Sequence, residues 1–206
     1  MKLLKYFMLI AVFQIFTEVV FSQNILQLAN GKKISIGEYK VSENSFLSYK
    51  NQKGKLKSIE LEEVFSIIDK SGNENLFYVA DSSDNEAFNV EQMRFFINGE
   101  SDALNNYKST WTFIGGIAVG AGSVVSIPLA GLSSLYAPVF PLAYSSSVGL
   151  IKVKTEKLGI EKQYIDNEHY VLGFEKTAKQ KRIKNSLLGS GIGIAVGLSA
   201  ALLFFN

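Results

Sequence analysis

The periodicity of apolar positions changes along this chain, and each change indicates a different kind of structure. From residue 24 to residue 80, short runs alternate apolar and polar residues between clusters of turn residues. From residue 89 to residue 109, apolar residues instead recur every three or four positions. Beyond residue 110 there are two long uncharged stretches, separated by a basic segment. These patterns predict β-strands, then an amphipathic helix, and then helices apolar enough for a membrane.

Residues 23–80 have the pattern of a small β domain. Asn30-Gly31 is a strong two-residue hairpin signal between the first two apolar runs. Further turn signals at residues 51–54 and 70–73 leave five or six strands, as in a small barrel or a strongly bent sheet. The order of strand, Asn-Gly turn, strand and a late strand at Val64–Ile68 resembles small SH3-like and Sm-like barrels. This resemblance implies a fold and carries over no functional residue.

A polar connector at residues 81–88 follows the β domain. It contains Asp81, Asp84 and Glu86, and oxygen-rich clusters of this kind can bind calcium. The spacing of these acids does not match an EF-hand loop, and the segment lacks the central glycine of such a loop. We therefore interpret the connector as a solvated linker.

Residues 89–109 predict an amphipathic helix. Asn89 occupies the N-cap position and Gln92 follows three residues later, as in a capping box. Gly99 interrupts the apolar face and suggests a bend. We expect the helix to pack on the β domain and to lead into the membrane. The alternative is a docking surface for a partner helix.

The last uncharged stretch, residues 186–205, carries small residues at a strict spacing of four. In water each glycine would weaken a helix by up to about 1 kcal/mol. In lipid the helix persists, and the small residues form a flat face for another helix. The stretch therefore predicts a transmembrane glycine zipper. Its packing residues are Gly189, Gly193, Gly197 and Ala201, and a second stripe consists of Gly191, Ala195 and Ser199.

The other uncharged stretch, residues 110–151, begins with a candidate span at residues 111–131. About 20 helical residues cover the hydrocarbon core of a bilayer, and Lys108 and Trp111 lie where interfacial anchors are common. The remainder contains Pro138 and Pro141, so it predicts either the second span of a hairpin or a re-entrant segment. We expect the first span to pack on the last one or on copies of itself. Its packing residues are Ala118, Gly122, Ser126 and Ala130, with Gly116 and Gly120 as a second pair.

The basic segment, residues 152–185, bears on the choice between a two-span hairpin and a single span with a re-entrant segment. It carries 9 Lys and Arg residues against 5 Asp and Glu residues, whereas residues 24–109 carry 10 against 13. If the N-terminal domain is exported, a hairpin places the basic segment outside the cytoplasm, and a single span places it inside, as the positive-inside tendency prefers. We favour the hairpin because of the length of the apolar run. The basic side chains then either solvate the membrane border or contact anionic lipid headgroups.

Residues 1–22 have the pattern of a signal peptide. Lys2 and Lys5 precede an apolar run, and residues 20–22 fit the small-residue rule for cleavage before Gln23. The alternative is an uncleaved N-terminal anchor. Both place the β domain outside the cytoplasm.

The residue inventory excludes several kinds of active site. The chain has no cysteine and one histidine, His169, so it cannot by itself form a thiolate site or a multi-histidine metal site. The glycines at residues 191–196 lack the last glycine of a dinucleotide fingerprint, and no phosphate-binding Gly-Lys-Ser/Thr motif is present. A net charge of +2 does not suggest nucleic-acid binding. We predict a protein that is not an enzyme, with no cofactor, no metal and no nucleic-acid partner.

The spacing of Gly189, Gly193, Gly197 and Ala201 resembles the glycine-zipper membrane segments of bacterial envelope proteins. The chain is also similar to a group of exported bacterial proteins with a small β domain, a characteristic helix and a glycine-rich C-terminus. The resemblance implies residence in the cell envelope and brings no catalytic residue. In this chain the helix contains Glu91-Gln92-Met93-Arg94, Gly99-Glu100, Asp102-Ala103 and Tyr107-Lys108.

Together these patterns predict an α+β membrane protein. It consists of a small SH3-like or Sm-like β-barrel or bent sheet, an amphipathic helix and two or three glycine-rich transmembrane helices. We expect it to display the β domain on the periplasmic side of a bacterial envelope membrane. Its partners would be membrane lipid and either a second copy or another envelope protein. The alternative is an oligomeric channel built on the zipper helices.

Overall fold

The computed structural model describes residues 23–42, 44–80, 87–129, 131, 133–153 and 162–204. The predicted signal peptide, the connector acids Asp81, Asp84 and Glu86, and Ala130 lie outside these ranges. The fold is α+β and divides into two compact units. The sheet unit contains the six strands between residues 24 and 76, and the helical unit contains four helices and a short helical turn at Lys162–Ile165.

The strands of the sheet unit run antiparallel in the order β4-β3-β2-β1-β5-β6. The Asn30-Gly31 hairpin is confirmed, and Gly31 adopts a φ of 76°, which glycine tolerates without strain. The last strand begins at Glu74, directly after a tight turn that Asp69 closes by accepting hydrogen bonds from the amides of Ser71 and Asn73. The strands are β1 Asn24–Leu28, β2 Lys33–Val41, β3 Phe46–Asn51, β4 Leu56–Glu60, β5 Val64–Ile68 and β6 Glu74–Leu76.

Alternation of apolar and polar residues gives the sheet unit a core of its own. The side chains of Leu26, Leu47 and Ile67 are fully buried, and Leu26 lies opposite Ile67 on the neighbouring strand. Leu56, at the start of edge strand β4, is 73% exposed. The antiparallel sheet is therefore confirmed, while its closure into an SH3-like or Sm-like barrel stays a prediction.

The first helix of the helical unit, α1, spans Val90–Asn106. The predicted capping box is present: the Gln92 amide donates to the Asn89 side chain, and the Asn89 amide donates to the Gln92 side chain, both at 2.9 Å. These two bonds satisfy amides that have no partner within the helix. The helix continues without interruption through Gly99, where the sequence suggested a bend.

Three further helices complete the helical unit: α2 at Thr110–Leu129, α3 at Val139–Leu150 and α4 at Glu168–Phe204. The side chain of Asn167 accepts a hydrogen bond from the Tyr170 amide at the start of α4. From there α4 runs for 37 residues, about 55 Å, so the end of the basic segment and the last apolar stretch form one helix.

Helix α4 is the one described helix that is long and apolar enough, by itself, to cross a membrane. Helices α1 and α2 meet that criterion only as a pair, which is bent by 63°. Helix α3 is apolar but has 12 residues, about 18 Å. The described residues thus contain one candidate span, or two if the bent pair counts as one, against the two or three that the sequence predicted.

Candidate functional site

Helices α2 and α4 pack with their backbones in direct contact. A Cβ atom added to Gly116 in α2 would overlap the carbonyl oxygen of Ser186 in α4. One added to Gly120 would overlap the carbonyl oxygen of Ser190 and lie 3.0 Å from the amide nitrogen of Ile194. Glycine is therefore the residue that fits at both positions, because backbone atoms cannot move aside as a flexible side chain can.

The glycines of α4 meet the α2 backbone in the same way. The contacts advance by four residues on both helices at each step, so α2 and α4 run parallel. Every added Cβ would lie against a carbonyl group of α2. The pairs are Gly189 with Phe113, Gly193 with Ile117, and Gly197 with Ala121.

The stripe of α2 that the sequence singled out first does not contact α4. Ala118, Gly122 and Ser126 are exposed, and no atom lies within 4 Å of a Cβ added to Gly122. The face that packs on α4 carries Gly116 and Gly120 and is offset by two residues, about 200° around a helix. That the exposed stripe packs against a helix of another molecule stays a prediction.

The second stripe of α4 is exposed as well. Gly191, Ala195 and Ser199 lie on the side of α4 that faces away from α2, and a Cβ added to Gly191 would meet no atom within 4 Å. Ala201, the last member of the predicted packing set, is half-buried.

Glycine contacts also join α1 to the N-terminal half of α4. A Cβ atom added to Gly99 would overlap the carbonyl oxygen of Tyr170 and lie 2.9 Å from the amide nitrogen of Phe174. A Cβ added to Gly173 would overlap the carbonyl oxygen of Phe96. Gly173 lies outside the glycine pattern of residues 186–205, because the four-residue spacing that leads from it to Gly189 passes through Lys181 and Asn185.

Helix α3 runs antiparallel to α2 and α4, and its C-terminal end lies beside the start of α2. The Tyr144 hydroxyl donates to the carbonyl of Thr112 at 3.4 Å. Near the C-terminal end of α3, a Cβ added to Gly149 would lie 2.7 Å from the side chain of Ile183. Consequently residues 107–111, 151–153 and 181–185 lie at the same end of the three-helix bundle.

Lys181 of α4 closes the C-terminal end of α1. Its Nζ donates to the carbonyl oxygens of Ala103, Leu104 and Tyr107 at 3.2, 2.9 and 2.7 Å. The last carbonyls of a helix have no partner within it and carry partial negative charge, so an ammonium group is a favourable cap. Burial lowers the pKa of Lys181 below its ordinary value.

Arg182 is buried at the same level, with 5% of the residue exposed. Its Nε donates to the Tyr107 hydroxyl and its Nη1 to the Ile151 carbonyl oxygen, both at 2.5 Å. The guanidinium also lies 5.4 Å from the ring centre of Tyr107 and 5.9 Å from that of Trp111. No carboxylate of the described residues pairs with it.

A buried acid lies further along the contact between α1 and α4. The Glu100 side chain is 2% exposed and its Oε1 lies 2.9 Å from Nζ of half-exposed Lys176. Its other oxygen, Oε2, has no hydrogen-bond partner, and burial raises the pKa of Glu100. Nearby, the Tyr170 hydroxyl donates to Asp102 at 2.6 Å, and burial together with this carboxylate raises the pKa of Tyr170.

The single histidine packs as an aromatic residue. The ring of His169 lies 4.9 Å from that of Phe88 in an edge-on arrangement. Within the described ranges there is no group of three or more His, Asp or Glu residues placed to hold a metal ion.

The sheet unit carries a shallow polar groove of about 420 Å³. Three lysines and three uncharged polar residues supply most of its lining, so it favours anionic or strongly polar ligands. The polar lining residues are Lys33, Ser35, Asn51, Gln52, Lys53 and Lys57.

Comparison of the chain with protein-family models, with curated proteins and with solved structures finds no match. The contacts described above are therefore the observations on which a function can be proposed.

Proposed function

We propose that this chain is a non-enzymatic membrane protein of a bacterial cell envelope. Helices α2 and α3 and the C-terminal half of α4 would be embedded in lipid. They would hold the sheet unit outside the cytoplasmic membrane, on the periplasmic side, where it would bind another envelope component. The sheet unit would then act as a small SH3-like or Sm-like interaction domain.

The observation that carries this proposal is the outward apolar surface of the bundle. Only 28% of the most apolar stretch of α4 is buried, whereas the central helix of a soluble protein is mostly buried. Ile192, Val196 and Leu203 of α4 are 49%, 54% and 80% exposed, and Phe140 of α3 is 56% exposed. Contiguous apolar surface of this kind indicates a membrane or a partner surface.

Charge supports the same assignment. No Asp, Glu, Lys or Arg occurs at residues 109–151 or 185–206, which include all of α2 and α3 and the C-terminal half of α4. A charged side chain at the centre of a bilayer costs about 2.5–3.5 kcal/mol on insertion scales. Close helix packing through glycine is also frequent between membrane helices, where the hydrophobic effect does not drive association.

The antiparallel path of α3 favours the hairpin over a single span followed by a re-entrant segment. In the hairpin the basic segment returns to the side of α1. With an exported N-terminal domain, that side is outside the cytoplasm, against the positive-inside tendency.

A pair of equally exposed leucine and isoleucine positions on α4 tests the membrane assignment. Ile192 and Leu172 are 49% and 50% exposed, but only Ile192 lies in the proposed span. In lipid, Ile192→Lys should cost about 2.5–3.5 kcal/mol of insertion free energy and reduce the carbonate-resistant membrane fraction, while Leu172→Lys should not. Full release of the unmodified chain by alkaline carbonate would refute membrane embedding.

Single-cysteine labelling tests the side of each segment, because the chain has no cysteine of its own. We expect cysteines at Ser71 and Lys152, both exposed, to react with a membrane-impermeant maleimide from outside. A cysteine at Leu203, near the other end of α4, should be protected. If position 71 were labelled and position 152 protected, the basic segment would not have returned to the side of α1, and the hairpin would be contradicted.

The second candidate function is an oligomeric channel, and the exposed small-residue stripes favour it. Gly122 and Gly191 have open space where a Cβ would lie, so a second copy could approach there. Gly122→Leu should then abolish detergent-resistant oligomers and liposome conductance together. A monomeric chain without conductance would exclude the channel.

A further inference from the structure

We propose that the polar end of the helix bundle binds the phosphate group of an anionic phospholipid. The binding surface is a basic collar around the bundle that consists of Lys108, Lys152 and Lys184 at the level of Arg182. This inference rests on the proposed membrane embedding and adds to it a lipid class and the residues that recognise it.

Three hydrogen bonds bring the members of the basic collar to the same level of the bundle. Lys108 lies between Tyr107, whose carbonyl accepts from Lys181, and Ser109, whose hydroxyl accepts from Asn185 at 2.7 Å. All three collar lysines are exposed. The region before α2 and the beginning of the apolar half of α4 are therefore fixed side by side.

The other two lysines follow from the position of Arg182. Lys152 comes directly after Ile151, whose carbonyl oxygen accepts the hydrogen bond from Nη1 of Arg182. Lys184 is two residues beyond Arg182 on α4, at the same level of the bundle but about 200° around the helix from Arg182. The segment before α2, the segment after α3 and the middle of α4 thus each contribute one exposed ammonium group to a ring around the bundle.

Arg182 supplies the buried element of the surface. Its two protein hydrogen bonds use two of the five N–H donors of a guanidinium. The described residues provide no carboxylate to balance its charge, and a buried unpaired charge is unfavourable. A phosphate matches the remaining donors because guanidinium and phosphate form bidentate hydrogen bonds.

The surroundings favour a lipid over an acidic protein segment. The uncharged stretches begin at residues 109 and 185, directly below the collar. Trp111, 48% exposed, lies at the same level as Arg182, and tryptophan is enriched at the boundary between water and lipid. A phospholipid beside the exposed apolar faces of α2 and α3 would have its phosphate at the height of the collar.

The test compares lipids on the purified full-length chain in neutral detergent. Binding of phosphatidylglycerol and of phosphatidylcholine is measured by native mass spectrometry, and thermal stabilisation by each lipid is measured in parallel. We expect phosphatidylglycerol to bind at least tenfold more tightly than phosphatidylcholine, with a preference that falls as salt concentration rises. Equal binding of the two lipids would overturn the proposal.

Two triple variants identify the residues. Lys108→Gln/Lys152→Gln/Lys184→Gln should reduce the affinity for phosphatidylglycerol at least tenfold, since each basic residue near a charged surface contributes a factor of about five. Lys40→Gln/Lys55→Gln/Lys70→Gln removes the same charge from exposed positions of the sheet unit outside its polar groove and should leave the affinity unchanged. Equal losses in both variants would show a net-charge effect and contradict the collar.

Further measurements separate the lipid from other causes. Arg182→Lys keeps the charge but not the bidentate geometry and should lower the preference for phosphatidylglycerol in a protein that retains its circular dichroism spectrum. Inorganic phosphate that gave the same stabilisation would contradict a lipid ligand. Carbonate extraction of the wild-type chain checks the proposed function separately, because a chain that remains embedded but shows no lipid preference refutes only this inference.

Discussion

Gly193 in α4 lies directly against the backbone of Ile117 in α2, and no side chain fits between them. The same contact repeats four residues earlier, between Gly189 and Phe113. Because carbonyl groups rather than side chains fill the opposite surface, a larger residue at Gly193 can be accommodated only if the two helices separate. A single substitution at Gly193 should therefore increase the distance between α2 and α4.

We expect Gly193→Leu to lower the free energy of unfolding by at least about 1–3 kcal/mol, as overpacking of a close contact does. Gly191→Leu is the matched control, since it lies two residues away on the same helix and meets no atom within 4 Å. The measurement is unfolding in mixed micelles, followed by circular dichroism as the fraction of denaturing detergent increases. Equal destabilisation by both substitutions would contradict the helix contact described here.

Local signals predicted the elements of this fold well. The Asn30-Gly31 turn and the Asn89 and Gln92 capping box both depend on residues close in sequence. At Gly99 helix α1 is uninterrupted, and the glycine allows the close approach of α4.

Long-range contacts could not be predicted from spacing. On α2 two small-residue stripes compete, and only the three-dimensional path of the chain decides that Gly116 and Gly120 face α4. The bonds of Arg182 to Tyr107 and Ile151 join residues 75 and 31 positions apart. No local pattern marks Arg182 as different from the neighbouring basic residues.

The stability of the helical unit should fall as pH rises past the pKa of Glu100. Burial raises this pKa above its ordinary value, so the folded state binds the proton more readily than the unfolded state. The stabilising contribution is complete below the unfolded pKa and is lost as pH rises through the folded pKa. Glu100→Gln should remove this loss, so that its melting temperature exceeds that of the wild type by more at pH 8 than at pH 4.

Glu175→Gln is the control for this pH dependence, because Glu175 pairs with Lys179 on the same helix and lies nearer to solvent. Its melting temperature should follow that of the wild type at every pH. A difference between Glu100→Gln and the wild type that stayed constant from pH 4 to pH 8 would show that Glu100 keeps its ordinary pKa.

The core of the sheet unit predicts a contrast between two leucines. Leu47 is fully buried, whereas Leu56 on the edge strand is 73% exposed. Leu47→Ala should lower the free energy of unfolding by about 2–5 kcal/mol because it leaves a cavity, and Leu56→Ala by about 0.5 kcal/mol or less. Urea titration monitored by tyrosine fluorescence measures both. Comparable losses would contradict the assignment of Leu47 to the core.

Lys181 should stabilise the C-terminal end of α1 by capping its carbonyl groups. Lys181→Met removes the donor to the carbonyls of Ala103, Leu104 and Tyr107. Ala103 keeps the Tyr107 amide as a donor, and leaving the other two carbonyls without a partner costs about 1–3 kcal/mol. Lys184→Met removes the same charge from the same helix at an exposed position. In neutral detergent, amide hydrogen exchange at residues 100–107 should accelerate at least fivefold in the Lys181 variant and remain unchanged in the Lys184 variant. Because the two variants have equal net charge, acceleration in both would indicate a charge effect and exclude a specific cap.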